Sequence, residues 1–411
     1  MPLNLNGFLA DTWWYAMTAR LRDEDFSRLV DLRAQQGFNA AQVVVGIPPE
    51  TVPEDVDAAS PVGPAWRRNG EFNPRYLQHA RERILAMNRG GLGAIVYGAW
   101  GPQINWLGVE RMCDWWREVI RATDDLDVFY CLSGESNLQL SLKDMILNQR
   151  AAGALMGLER LIERSSFLHR AAKRLPQRPR LMEHRRRAWS RVLESAVKLT
   201  DKPFIIHPNP LDDGFSCVNN PHLLAANSAQ TGHTYQSRPR LHRLPMTHQA
   251  AGDPAGRGFI NLEPWYEGIH GLFWGQDQLY AYWVSMLAGA VSFCYGAQGI
   301  WNVGDGSFLA HWGGQTFSQA LALDTPRLIG KSHALFTAMA DAKAEVVLQE
   351  QGDTLVSIQR KSDKGSITFV PEVSEAAALP AGRVWLPMRG EFIDSLPAQG
   401  QVVIISQPGN N

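Results

Sequence analysis

The segment GFINLEPWYEG, residues 258–268, combines an apolar run with two carboxylates and two aromatic residues. Its first half is a short apolar run typical of a buried strand, and that run ends in the carboxylate of Glu263. A proline, two aromatic residues and a second carboxylate, Glu267, follow. In barrel enzymes the catalytic groups lie where strands end, so the pattern makes Glu263 a candidate catalytic residue.

A second apolar run ends in the same way. Residues 127–132 lead into SGESN, residues 133–137, which carries Glu135. If both strands belong to one parallel sheet, Glu135 and Glu263 lie at the same edge of it. Two facing carboxylates are the minimum equipment for hydrolysing a glycosidic bond, so the pair predicts that chemistry.

The order of apolar and helical segments predicts the fold. Short apolar strands alternate with helices from residue 8 to about residue 340, which indicates a parallel sheet. The predicted strands are 8–11, 39–45, 92–97, 128–132, 204–207, 223–230, 259–263 and 291–295. Eight such units predict a (β/α)8 TIM barrel, with a long helical insertion at about 140–200. Residues 341–411 instead contain short β-branched runs between turns, which predict a small C-terminal antiparallel β-domain resembling a sandwich.

Composition narrows the expected partners. The net charge is −1, which gives no electrostatic case for nucleic acid or for an acidic membrane surface. Fourteen tryptophans favour a carbohydrate ligand, because indole faces pack against sugars. The four cysteines are scattered without zinc-ligand spacing, and the sequence contains no P-loop and no dinucleotide-binding fingerprint, so neither a metal nor another cofactor is expected. The first residues show no signal-peptide pattern and no segment reads as a membrane span, which predicts a cytoplasmic protein.

Six short motifs occur in an order that resembles the apiosidase-like glycoside hydrolases, over roughly residues 7–340. They are DTWW at 11–14, QGFN at 36–39 leading into Gln42, SGESN at 133–137, QTGH at 230–233, EPWYEG at 263–268 and GIW at 299–301. The resemblance implies a retaining mechanism with Glu135 as acid/base and Glu263 as nucleophile, acting on a furanoside such as apiose or arabinofuranose. The chain departs from the family in the turn at residues 133–137, where Glu135 replaces an aspartate and Ser136 replaces an arginine. The helical insertion is a second departure.

Several residue roles stay open. Glu135 alternatively caps a following helix, and Glu267 is either the nucleophile in place of Glu263 or a residue that holds a loop. Each further candidate has core packing or structural hydrogen bonding as its competing explanation. The candidate substrate-binding residues are Asp11, Trp13, Trp14, Gln42, Trp100, Asn105, Asn137, His207, His233, Tyr266, Glu267 and Trp301.

Three functions are consistent with these patterns. The first is a retaining glycoside hydrolase with an oligosaccharide or glycoside substrate. The second is a barrel that binds a glycan without cleaving it, and the third is a metal-assisted hydrolase using Asp11, His207 and His233. The helical insertion also suggests a homo-oligomer formed through it.

Overall fold

The computed structural model describes residues 3–138, 179–210, 212–339, 344–373 and 379–407. Most of the predicted helical insertion lies outside the described residues, and so does any oligomer contact made through it. Its last helix, Pro179–Ala196, is described.

Eight parallel strands form a nearly closed barrel, which confirms the predicted fold. The strands are β1 (Leu9–Trp13), β2 (Ala40–Val44), β3 (Gly93–Tyr97), β4 (Val128–Cys131), β5 (Phe204–Ile205), β6 (Asn227–Gln230), β7 (Phe259–Glu263) and β8 (Ala290–Cys294). Their order around the sheet is β5-β4-β3-β2-β1-β8-β7-β6, so the open seam lies between β5 and β6. The amide of Ala225 donates to the carbonyl of Phe204 across this seam, with a distance of 2.8 Å.

Helices surround the barrel as the alternating pattern predicts. They are α1 (Asp23–Gln35), α2 (Pro74–Arg89), α3 (Gln103–Leu107), α4 (Val109–Thr123), α5 (Pro179–Ala196), α6 (Arg240–Ala251), α7 (Gly275–Leu287), α8 (Phe317–Leu321) and α9 (Thr325–Met339). The start of α2 is fixed locally, because the Asn73 side chain accepts hydrogen bonds from two amides and Pro74 occupies the first helical position. The predicted strand 223–230 begins late, at Asn227, because a short 3₁₀ turn occupies Pro221–Leu223.

A six-stranded antiparallel sheet follows the barrel. Its strands are β9 (Glu345–Gln351), β10 (Thr354–Ser362), β11 (Gly365–Val370), β12 (Arg383–Leu386), β13 (Glu391–Ile393) and β14 (Val402–Ser406). The C-terminal residues that the structure describes form this one sheet rather than the two layers of a sandwich. One face packs on the barrel, where the ring of Phe369 in β11 lies 5.9 Å from that of Tyr280 in α7. The barrel therefore supplies the second layer that buries this face.

Among the described residues, no helix has both the length and the apolar character needed to cross a membrane.

Candidate active site

Glu263 is the last residue of β7, and three neighbouring side chains surround its carboxylate. Its Oε1 accepts hydrogen bonds from Nε2 of Gln230 and Nε2 of His233, each at 2.9 Å. Its Oε2 lies 3.1 Å from Nε2 of His207 and accepts no hydrogen bond within the described part of the chain. Oε1 is therefore held by two hydrogen bonds, whereas Oε2 faces the imidazole of His207.

Glu135 follows β4 and faces the same end of the barrel. Its Oε2 accepts a hydrogen bond from Nε1 of Trp100 at 3.1 Å. The backbone at Glu135 is left-handed, with a φ of 38°. Residues 135–137 form a turn, and the following helix that Glu135 alternatively caps lies outside the described residues. The preceding Gly134 lies against the indole of Trp100, because a Cβ at Gly134 would stand 2.2 Å from that ring.

His207, which follows β5, connects the backbone of Glu135 with the carboxylate of Glu263. Its Nδ1 accepts a hydrogen bond from the backbone amide of Glu135 at 3.1 Å. This contact requires the ring proton to sit on Nε2, the nitrogen that faces Oε2 of Glu263. The backbone of His207 also donates to Ser133 (3.0 Å) and accepts from Ser136 (2.9 Å). A single buried histidine thus fixes the Glu135 loop relative to Glu263.

The surroundings separate the pKa values of the two carboxyl groups. Burial raises the pKa of Glu135, and the negative charge of Glu263 raises it further. Burial opposes ionisation of Glu263 too, but the contacts with His207 and His233 outweigh it and hold the pKa of Glu263 at about 2. One carboxyl group is thus poised to carry a proton while the other stays ionised.

Aromatic side chains line the space around this pair. Nε1 of Trp14 donates to the Tyr266 hydroxyl at 2.9 Å, and the Trp14 ring stands edge-on to that of Trp100 at 5.2 Å. The Tyr266 ring lies 4.8 Å from that of His233 and 6.0 Å from that of Trp301. The residues predicted from sequence that the structure brings together here are Trp14, Trp100, Glu135, His207, His233, Glu263, Tyr266 and Trp301.

The two predicted asparagines have different positions. Asn137 joins the loops after β4 and β5, because it accepts from the amide of Asn209 (2.7 Å) and donates to Asp212 (2.5 Å). Its side chain therefore positions the Glu135 loop. Asn105 lies partly exposed on α3, and a sugar contact by this residue stays a prediction.

Asp11 and Trp13 are corrections to the sequence analysis, because both side chains face α1 instead of the site. The buried Asp11 carboxylate accepts from Nε of Arg33 at 2.5 Å and from Nε1 of Trp13 at 2.8 Å. The ring of Trp13 packs edge-on against Phe26 of α1. Their polar atoms are used inside the protein, so the structure does not support sugar binding by either residue.

Gln42 and Glu267 are likewise occupied within the fold. The Gln42 amide lies inside the barrel, where it donates to Thr12 (2.8 Å) and accepts from Tyr97 (2.5 Å). The Glu267 carboxylate accepts from the hydroxyls of Tyr295 (2.5 Å) and Thr325 (2.7 Å). Both residues are buried, so Gln42 fills the core and Glu267 holds its loop.

Asp11→Ala is expected to lower the free energy of unfolding by roughly 3–5 kcal/mol, because it leaves the Arg33 guanidinium buried without its counter-ion. Urea unfolding monitored by circular dichroism measures the loss. The matched control is Asp324→Ala, which breaks an exposed pair with Arg327 and should cost less than about 1 kcal/mol. An Asp11→Ala protein that keeps its stability but loses affinity for sugars would restore the sugar-binding role.

Gln230 is a site residue that was not predicted from the sequence, although it is the first residue of the QTGH motif. The signal was present, since Gln230 ends β6 beside the strand that ends in Glu263. The structure also does not assemble the metal site of the third hypothesis, because Asp11 points to α1. Within the described residues, no three His, Cys, Asp or Glu side chains are grouped so as to hold a metal ion.

Comparison with known proteins agrees with the architecture. A solved structure described as a glycoside hydrolase aligns with a TM-score of 0.72 at 15% identity, covering 98% of this chain and 93% of that one. A glycoside hydrolase family 5 protein from Bacteroides vulgatus aligns with a TM-score of 0.71 at 14% identity, covering 98% and 90%. GH5_18 from Streptomyces cattleya, solved with GlcNAc, aligns with a TM-score of 0.55 at 12% identity, covering 82% of each chain.

At these identities the solved structures show a shared fold alone. No curated protein sequence matches the chain. The family model for the apiosidase-like catalytic domain, by contrast, matches residues 8–338, which include the whole barrel and both carboxylates. The chain therefore belongs to the apiosidase-like family of glycoside hydrolases.

Proposed function

We propose that the protein hydrolyses a glycosidic bond with retention of configuration, with Glu263 as nucleophile and Glu135 as acid/base. The observation that carries this proposal is that His207 connects the backbone of Glu135 to the carboxylate of Glu263, and that the pKa values of the two carboxyl groups shift in opposite directions. A retaining mechanism needs one ionised and one protonated carboxyl group at the same site.

The contacts assign a task to each carboxyl group. Oε2 of Glu263 attacks the anomeric carbon while Glu135 gives its proton to the glycosidic oxygen, so the sugar becomes esterified to Glu263 and the leaving group departs. Glu135, now ionised, takes a proton from water, whose oxygen attacks the anomeric carbon and releases Glu263. Gln230 and His233 hold Oε1 throughout, which keeps Oε2 aimed at the sugar.

The substrate class that we propose is a furanoside, such as a glycoside of apiose or arabinofuranose. The support is membership of the apiosidase-like family over residues 8–338. The departure at Glu135, where the resemblance expects aspartate, places the acid about one methylene further along its side chain. That change alters the fit of the leaving group more than the chemistry.

The test is hydrolysis of nitrophenyl furanosides and pyranosides, followed by proton NMR of the first sugar released. Cleavage of a furanoside with the product anomer matching the substrate supports the proposal. Release of the opposite anomer contradicts the retaining mechanism, and cleavage of pyranosides alone contradicts the furanoside assignment.

The activity is expected to follow a bell-shaped pH profile. The reaction needs Glu263 ionised. Because the pKa of Glu263 is about 2, activity should be lost only when the pH falls below the range in which carboxyl groups usually titrate. The reaction also needs Glu135 protonated. Because the pKa of Glu135 is raised, the loss of activity at alkaline pH should begin above the usual titration range of carboxyl groups. Measurement of kcat/KM against pH reports both groups in the free enzyme. Activity that keeps rising through neutral pH would contradict Glu135 as the acid.

A further inference from the structure

The indole of Trp100 contacts the carboxyl group that the proposed reaction uses as acid and base. Trp100 lies three residues after the end of β3, and its Nε1 donates to Oε2 of Glu135 at 3.1 Å. Sugar binding is predicted for Trp100 from the sequence, but only 5% of its surface is exposed. Most of the ring is therefore packed inside the protein, and its polar atom is directed at Glu135.

The backbone around Trp100 is joined to the loop that carries Glu135. The loops after β3 and β4 continue the parallel pairing of these strands through a bridge between Trp100 and Gly134. The amide of Gly134 donates to the carbonyl of Ala99 at 3.0 Å, and the amide of Gly101 donates to the carbonyl of Gly134 at 2.7 Å. The two loops are therefore bonded on both sides of Trp100, which keeps its indole in register with the carboxyl group.

Neighbouring rings and backbone enclose the indole. The ring of Tyr97 lies nearly parallel to it at 6.2 Å, the ring of Trp14 stands edge-on at 5.2 Å, and the imidazole of His207 lies at 6.2 Å. The loop after β4 approaches so closely that a Cβ at Gly134 would stand 2.2 Å from the indole. The indole cannot rotate without displacing these neighbours, so the direction of its N–H bond is fixed.

The N–H group of Trp100 favours one position for the proton of Glu135. An indole nitrogen donates a hydrogen bond but cannot accept one. In a neutral carboxyl group the carbonyl oxygen is a better acceptor than the hydroxyl oxygen, so the contact with Nε1 makes Oε2 the carbonyl oxygen and places the proton on Oε1. Once that proton has left, the same N–H stabilises the negative charge, because hydrogen bonds to ionised acceptors are stronger than those to neutral ones.

We propose that Trp100 is a positioning residue for the acid/base, which holds Oε2 of Glu135 so that Oε1 exchanges the proton in both steps of the reaction. This inference rests on the proposed function. In the first step the proton on Oε1 passes to the glycosidic oxygen, whose bond to the anomeric carbon breaks as Glu263 bonds to that carbon. In the second step Oε1 takes a proton from the water whose oxygen replaces Glu263.

Trp100→Phe keeps an aromatic ring and removes the N–H donor. With a poor leaving group its kcat/KM should fall by roughly tenfold, the order of one hydrogen bond to a charged group. A dinitrophenyl group departs with little need of a proton, so its kcat/KM should change little. A loss that is equal for both leaving groups overturns the proposal.

The pH profile provides a readout that a purely structural role would not move. Burial raises the pKa of Glu135, and the hydrogen bond from Trp100 offsets part of that rise. Removal of this bond in Trp100→Phe should therefore raise the pKa of Glu135 further and move the alkaline limb of kcat/KM to higher pH. An alkaline limb that stays in its wild-type position overturns the proposal.

A second substitution separates the N–H group from the shape of the ring. Benzothienylalanine incorporated in place of Trp100 has sulfur where the indole has its N–H, and should show the same displaced limb even if Trp100→Phe does not fold. Trp14→Phe is the matched control, because Trp14 packs against Trp100 but its own Nε1 donates to the hydroxyl of Tyr266. The alkaline limb should stay in place in this control, and an equal displacement there overturns the role assigned to Trp100.

NMR of the indole N–H groups tests the contact without any hydrolysis. The Trp100 signal, identified by its loss in Trp100→Phe, should shift with pH as Glu135 ionises, and Glu135→Gln should abolish that shift. A shifting signal in a protein that cleaves no glycoside would overturn the proposed function and with it the acid/base role. A signal that does not follow Glu135 in an active enzyme would overturn the positioning role alone.

Discussion

Glu263→Ala is expected to lower kcat/KM by roughly 10⁴-fold or more, because it removes the atom that bonds to the anomeric carbon. Gln230 and His233 would remain in place without the oxygen that they hold. Steady-state kinetics with the best nitrophenyl glycoside measures the loss, and circular dichroism checks that the variant is folded.

Azide gives the sharper measurement for this variant. The side chain removed by Glu263→Ala leaves room for a small anion, so azide should restore turnover and yield a glycosyl azide of inverted configuration. The matched comparison is Glu267→Gln, which disturbs hydrogen bonds with Tyr295 and Thr325. This variant should have a lower Tm but a kcat close to that of the wild type. If Glu263→Ala stays active while Glu267→Gln loses its activity, the nucleophile has been misassigned.

Glu135→Ala is expected to have an effect that depends on the leaving group. Loss of a general acid should slow the cleavage of poor leaving groups by about 10²–10⁴-fold, whereas a dinitrophenyl group departs with little need of a proton. The alkaline limb of the pH profile should disappear as well, since Glu135 is the group whose raised pKa produces it. Kinetics with a series of aryl glycosides of increasing phenol acidity tests both expectations.

The backbone at Glu135 calls for a second variant. Its φ of 38° is left-handed, which alanine tolerates poorly and glycine tolerates well. Glu135→Gly should therefore show the same dependence on the leaving group with less disturbance of the loop. Azide should accelerate both variants and give a glycosyl azide of retained configuration. Equal losses for good and poor leaving groups in the glycine variant would rule out an acid role for Glu135.

The barrel could be predicted because its signal is local. Apolar strands alternate with helices along the chain, and a parallel arrangement sends every strand's carboxyl end to one face of the sheet. Glu135 and Glu263 could be placed at that face for the same reason, since each directly follows an apolar run. The same logic failed for Asp11. It also lies in a strand of the barrel, but its side chain points outward, where α1 presents Arg33.

The architecture and the two candidate carboxylates follow from the order of residues along the chain, whereas the contacts between side chains depend on the folded structure. The amide of Glu135 reaches His207 across 72 residues, and His233 reaches Glu263 across 30. Whether a side chain at a strand end faces the cleft, the barrel interior or a helix depends on the pleat and on its neighbours in the sheet. Glu263 and Glu267 illustrate this, because they lie only four positions apart in the sequence. Histidines contact the carboxylate of Glu263, whereas hydroxyls donate to that of Glu267. Those partners come from other strands and loops, so only the folded chain assigns them.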